Sequence, residues 1–199
     1  MSRLNIKSAG LLLYFSLAMI PANAQTGNLL QNPNADLDAQ HWQAWKEATV
    51  EDINGNKSFV VRNQGHFYQE VILPGGSVGQ YAVFIGRGSS ERINADGAIT
   101  GLPYLYGYML DPADEVGGKN IKAYLQGQRM LCSARVADEW VIMWGIFKVP
   151  EGTGRIGFFL NQAERRGVPQ NGSAARFDDL GLYLFTTPEE AKAFVARYQ

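Results

Sequence analysis

The chain has 199 residues, 46% of them hydrophobic and 19% charged, with a formal net charge of −1. That length suits one domain with a sizeable core better than two, and the near-neutral balance offers nothing to attract a polyphosphate backbone. The single cysteine, Cys132, excludes an internal disulfide, so stability must come from the core; its setting in "RMLCSARV" predicts a buried, inert thiol.

Residues 1–24 read as an export signal. Arg3 and Lys7 precede the apolar run "GLLLYFSLAMI", and "ANA" at 22–24 predicts cleavage before Gln25. The run is too short to favour a membrane-spanning helix, and no second apolar segment of about 20 residues follows. A periplasmic or secreted protein is expected, with residues 25–199 forming a single β-sandwich domain.

Strands are expected near "NLLQN", "SFVVRN", "HFYQEVIL", "QYAVFIGR", "PYLYGYML", "NIKAYLQGQ", "EWVIMWGIFKV", "RIGFFLN" and "RFDDLGLYLF". Between them lie turn formers: "NGNK", "PGGSVG", "DPADEVGG", "PEGTG" and "PQNGS". Short β-branched and aromatic runs punctuated in this way belong to an all-β sandwich or barrel. The end of the chain departs from the pattern. In "TTPEEAKAFVARYQ", Thr187 is an N-cap, Pro188 takes the first helical position and Glu190 closes a capping box, which predicts a helix over 188–198. Ala191, Phe194, Val195 and Tyr198 share one side of it, so the helix is expected to pack on the sandwich, with partner binding as the alternative.

Four stretches in order carry a resemblance. "NLLQNPNADLDAQHWQAW", "FYQEVILPGGSVGQYAVFI", "DEWVIMWGIFKVPEGTGRIGFFL" and "ARFDDLGLYLF" resemble the opening, the hairpin, the "W…F-x-V-P-x-G" pair and the closing "DD-V-x-L" strand of family 4/9-type carbohydrate-binding modules. The resemblance spans residues 28–185. It implies an all-β, galactose-binding-like jelly-roll β-sandwich with a short C-terminal α-helix, and an exported, non-catalytic, lectin-like protein that binds a carbohydrate ligand. An exported structural or protein-interaction sandwich, with a protein partner, is the alternative; a polysaccharide-active enzyme is a third reading.

Alternation along "RFDDLGLYLF" groups Asp178 with Leu180, Leu182 and Leu184, which directs Asp178 toward the core. A buried carboxylate needs a cation or several donors. The resemblance implies a structural calcium held by Asp36, Asp178 and Asp179, pinning the first strand to the last. Backbone N–H groups or an arginine would satisfy Asp178 equally well on the residues alone.

For a ligand, the resemblance implies that in "EWVIMWGIFKVP" Val141, Met143, Gly145, Phe147 and Val149 point inward, which turns Ile142, Trp144 and Ile146 outward. An outward indole can carry a sugar ring, unless the C-terminal helix covers it. Tyr104, Tyr106 and Tyr108 share one side of their strand and, by the resemblance, are expected in the core. The polar stretches "GRGSSERINADG" and "NQAERRGVPQNGS" supply Arg87, Arg92, Asn161, Gln162, Arg165 and Arg166 as candidate sugar contacts. Catalysis finds little support. The two histidines, His41 and His66, lie in no metal-binding spacing, no G-x-S-x-G elbow occurs, and no phosphate loop accompanies the glycines.

Overall fold

The computed structural model describes residues 27–91, 101–112, 121–132, 138–164 and 173–199; the expected leader, Arg92, Arg165 and Arg166 lie outside these. Ten strands form among them: β1 Gln43–Trp45, β2 Ala48–Ile53, β3 Asn56–Val61, β4 His66–Ile72, β5 Tyr81–Ser90, β6 Gly101–Leu110, β7 Ile121–Leu125, β8 Val141–Lys148, β9 Arg155–Glu164 and β10 Ala175–Phe185. They build two antiparallel five-stranded sheets, ordered β1-β4-β9-β6-β7 and β2-β3-β10-β5-β8, that face one another as a jelly-roll sandwich. No helix of the described residues is long and apolar enough to cross a membrane.

Period-2 alternation sends one set of side chains from each sheet between the layers. Phe67 and Val71 of β4, Leu105 and Met109 of β6, and Ile156, Phe158 and Leu160 of β9 meet Phe59, Phe84, Met143, Phe177, Leu182 and Leu184 of the facing sheet. The rings of Phe84 and Phe158 stack across the interface at 4.9 Å. Cys132 is buried, as its neighbours foretold, with Sγ 3.8 Å from the Gly88 carbonyl oxygen.

The C-terminal helix α1, Pro188–Ala196, begins with the expected capping box: Thr187 Oγ1 accepts from the Glu190 N–H while Glu190 accepts from the Thr187 N–H. Its buried residues Ala191, Phe194 and Val195 pack on Val83, Ile85 and Phe185, covering part of the outer face of the β5-β8-β10 sheet.

Two expectations fail at the start of the chain. "NLLQN" forms no strand, whereas β1 and β2 went unforeseen. The "NG" turn was the available signal for β2: Asn54 and Gly55, both at positive φ, join it to β3 as a two-residue hairpin with Ile53 opposite Asn56.

A further correction concerns Asp178. Moving along β10 from Asp178 to Gly181 passes three residues while the partner β5 passes two, from Arg87 to Ile85, so β10 carries a one-residue bulge. Asp179 makes the bulge at φ 49°, a left-handed conformation that Asp tolerates better than most residues. The bulge inverts the phase of the strand. Phe177 and Leu180 both enter the core, and Asp178, opposite Arg87, does not share their face. Its carboxylate is nonetheless covered, and accepts from the Asn56 side-chain amide at 2.6 Å and from the Asp179 N–H at 2.8 Å. Burial pushes its pKa up, and these two hydrogen bonds oppose that shift.

Beyond the bulge, the N-terminal segment takes over pairing with β10. The Asn28 side chain donates to the Leu180 carbonyl at 2.9 Å and accepts from the Leu182 N–H at 3.1 Å, while the Leu29 N–H donates to the Leu182 carbonyl at 2.9 Å. Thus one amide ties the beginning of the fold to its last strand. Asn28→Ala is expected to lower the unfolding free energy by about 1–3 kcal/mol, because it leaves two backbone groups of β10 without partners. Urea denaturation of the variant beside the wild type measures this; an unchanged midpoint would show that Asn28 does not hold the seam.

Candidate functional site

The outer face of the β1-β4-β9-β6-β7 sheet can be read from strand register alone. Four rows run across it. Trp45, His66, Asn161 and Tyr104 form the first; Gln43, Tyr68, Phe159 and Tyr106 the second; Glu70, Gly157, Tyr108 and Tyr124 the third; Ile72, Arg155 and Leu110 lie in the fourth. The tyrosines of β6 therefore point away from the core, contrary to expectation. Leu105 and Met109, on the alternate positions, fill the core instead.

These aromatic side chains form a continuous ribbon. Tyr104 stacks beside Tyr106 at 5.9 Å, Tyr106 beside Phe159 at 4.5 Å and 13°, and Phe159 lies 4.5 Å from Tyr68. His66 bridges Phe159 and Trp45, at 5.6 and 4.9 Å. Rings stacked side by side across strands stand on edge, so the middle of the ribbon presents rims and hydroxyls, and its ends carry the more open aromatic surface. Trp45 is 50% exposed, with the Lys46 ammonium 4.2 Å from its ring centroid.

Glycine makes the third row possible. A Cβ on Gly157 would lie 2.8 Å from the Tyr108 ring and 3.0 Å from that of Tyr68; without it the two rings close over β9 with centroids 6.2 Å apart. Beneath them, the Tyr68 hydroxyl donates to Glu70 Oε2 at 2.6 Å, and Arg155 pairs with the other carboxylate oxygen of Glu70. A cleft of about 430 Å³ opens at the β4 edge of this face, lined by Gln43, Tyr68, Glu70, Ile72 and His41 among others.

The ribbon is electrically quiet. Burial raises the pKa of Tyr68, Tyr104 and Tyr108, and pushes Tyr106 up to about 12, so the hydroxyls stay neutral donors. Burial, aided by Lys46, lowers the His66 pKa, which favours the neutral imidazole. Glu70 and Arg155 offset one another.

The residues singled out in the sequence scatter. Asn161 joins the ribbon between His66 and Tyr104. Gln162 points the other way and donates to the Ser173 carbonyl, closing one end of the sandwich. Trp144 and Arg87 lie on the opposite sheet. Trp144 faces outward as foreseen, half-buried, and packs against the α1 cluster with the Arg129 guanidinium 5.2 Å from its ring. Arg87 pairs with Asp179 at 3.3 Å. Period-2 alternation could have found the β6 tyrosines; it gave no means of choosing which parity lies inside, because both are apolar.

The expected calcium ligands fit poorly as a set. Asp36 is exposed, Asp178 is turned to Asn56, and Asp179 to Arg87. Among the described residues no three His, Cys, Asp or Glu side chains converge as a metal-holding group. Hydrogen bonds of the Asn28 side chain join the N-terminal segment to β10.

No protein-family model matches the sequence, and no curated protein matches it by sequence. Solved structures do match by shape. The CBM22-1 xylan-binding domain of Paenibacillus barcinonensis Xyn10C aligns at TM-score 0.51 and 14% identity over 83% of this chain and 99% of that one. Its CBM22-2 neighbour aligns at 0.52 and 15%, over 77% and 96%. The enzymatically active domain of bacteriophage CBA120 tailspike protein 4 aligns at 0.55 and 14%, over 79% of this chain but 21% of its own length. The chain has the jelly-roll β-sandwich fold of carbohydrate-binding modules.

Two outcomes follow from this geometry. Gly157→Ala is expected to cost about 1–3 kcal/mol through overpacking of Tyr68 and Tyr108, read as a lowered denaturation midpoint together with a changed tyrosine near-ultraviolet dichroism. Chelation at matched ionic strength is expected to leave the thermal midpoint in place, since Asn28 and Asn56 make the contacts assigned to calcium; a fall would put a cation at Asp178.

Proposed function

We propose that this is an exported, non-catalytic carbohydrate-binding protein whose ligand, a neutral oligosaccharide, lies across the outer face of the β1-β4-β9-β6-β7 sheet. The observation that carries the reading is the four-row ribbon. A pyranose ring offers apolar C–H faces and a rim of hydroxyls, and this surface offers apolar ring area beside neutral hydrogen-bonding groups. Trp45 and Tyr104 supply aromatic surface at its ends. The tyrosine hydroxyls, Asn161, Gln43 and neutral His66 supply donors and acceptors for sugar hydroxyls. The shared fold with xylan-binding domains supports the same reading without naming the sugar.

Binding without cleavage fits the charges of this face. Glycoside hydrolysis ordinarily needs two carboxylates across the scissile bond, and Glu70 is the one carboxylate in the four rows, held by Tyr68 and Arg155. Ordered rings need little further immobilisation, which lowers the entropic cost of binding.

The test is a screen of neutral oligosaccharides on an array, repeated with Tyr106→Ala and Trp45→Ala. Each variant is expected to weaken binding at least tenfold while keeping its fold, and Trp144→Ala on the opposite sheet is expected to bind as the wild type does. Binding lost in Trp144→Ala but kept in both ribbon variants would overturn the assignment of the face.

A further inference from the structure

The opposite sheet holds a second groove, independent of the ribbon. Helix α1 covers Val83, Ile85 and Phe185 but leaves the part of the face around Ile142 open. Two hollows meet there. One, of about 520 Å³, is lined by Gln128, Arg129, Leu131, Val141, Ile142, Trp144, Tyr198 and Gln199. The other, of about 350 Å³, includes Asn34, Arg87, Asp179 and Tyr183 and shares Ile142 and Tyr198 with the first. Both fall in the range of small-molecule sites, roughly 300–1,000 Å³.

Tyr198 stands where the hollows join. It is 45% exposed, yet it is held two ways: its N–H donates to the Val195 carbonyl at 3.0 Å, and its ring lies 5.1 Å from Phe194. An ordered but half-exposed aromatic loses little freedom when a ligand ring settles on it.

Arg129 supplies the charge. Its 3-10 turn, Gln128–Met130, is anchored by fully buried Met130, and its exposed guanidinium lies 5.2 Å from the Trp144 ring centroid. Arg62, Arg87, Arg155 and Arg176 each have an acidic partner, whereas no carboxylate of the described residues pairs with Arg129. An indole-backed guanidinium whose N–H groups no described residue claims is suited to bidentate recognition of a carboxylate. In the adjoining hollow the Arg87–Asp179 pair, about half exposed, offers a donor and an acceptor to hydroxyls.

We infer that this groove is a second binding site, for a carboxylate-bearing saccharide of at least two rings: the uronate carboxylate on Arg129 beside Trp144, the next ring against Tyr198 with its hydroxyls toward Arg87 and Asp179. Its occupant is acidic where that of the ribbon is neutral. The two sites therefore stand or fall separately.

The test titrates the purified protein with a uronic-acid disaccharide and with its methyl ester, which keeps the rings and removes the charge, following heat and the Trp144 indole N–H resonance. The acid is expected to bind and to shift that resonance, and the ester to bind at least tenfold more weakly. Arg129→Gln should weaken the acid at least tenfold and leave the ester unchanged, Tyr198→Ala should weaken both, and Tyr106→Ala on the ribbon should change neither. Unchanged affinity of Arg129→Gln for the acid would overturn the proposal. So would an absent Trp144 shift, acetate binding as tightly as the disaccharide, or loss of acid binding in Tyr106→Ala.

Discussion

The bulge at Asp178–Asp179 is the constraint on which the sandwich depends. β10 lies in the middle of its sheet, between β3 and β5, and each of its inward residues must meet the facing layer. With strict alternation Phe177 and Leu180 could not both be inside; one extra residue, with Asp179 at positive φ, brings both in. The cost is a covered carboxylate, offset by Asn56 and the Asp179 N–H. The gain is a stretch of β10 beyond β3 whose backbone groups are available to Asn28 and Leu29, so the N-terminal segment closes over the sheet edge.

From that frame the two outer faces take different characters. One sheet keeps its aromatics in register, with Gly157 making room for tyrosines on either side, and stays uncovered by any described helix. The other carries Val83, Ile85 and Phe185 outward, an apolar patch that the C-terminal helix buries. A sandwich exposing both faces would present two apolar surfaces to water; the helix covers part of one and leaves the other open. The helix stops short of the whole face, and the groove beside it takes its shape from where Tyr198 comes to rest.

Charge separates the two surfaces further. On the ribbon, cation and anion are matched in Glu70 and Arg155, and the titratable rings are held neutral by burial. Beside the helix, Arg87 is matched, whereas no described carboxylate pairs with Arg129. Since a neutral hydroxyl and a carboxylate demand different partners, the two proposed sites would divide their ligands by charge rather than by shape.

The strands from β3 onward, the capped helix and the all-β class are legible in the residues, because turn chemistry and capping are local and are written in consecutive residues. The family resemblance also placed Met143 inside and Trp144 outside. The remainder depends on contacts between distant parts of the chain. "PYLYGYML" is apolar on both parities, so which side of β6 faces inward depends on the sheet across from it. The bulge in "RFDDLGLYLF" leaves its period-2 pattern looking regular while shifting its phase. Asn28 and Leu182 are far apart in sequence, so no local signal could show that the Asn28 amide would join them. Side-chain direction and long-range pairing follow from how two sheets meet, and that meeting is a property of the whole chain.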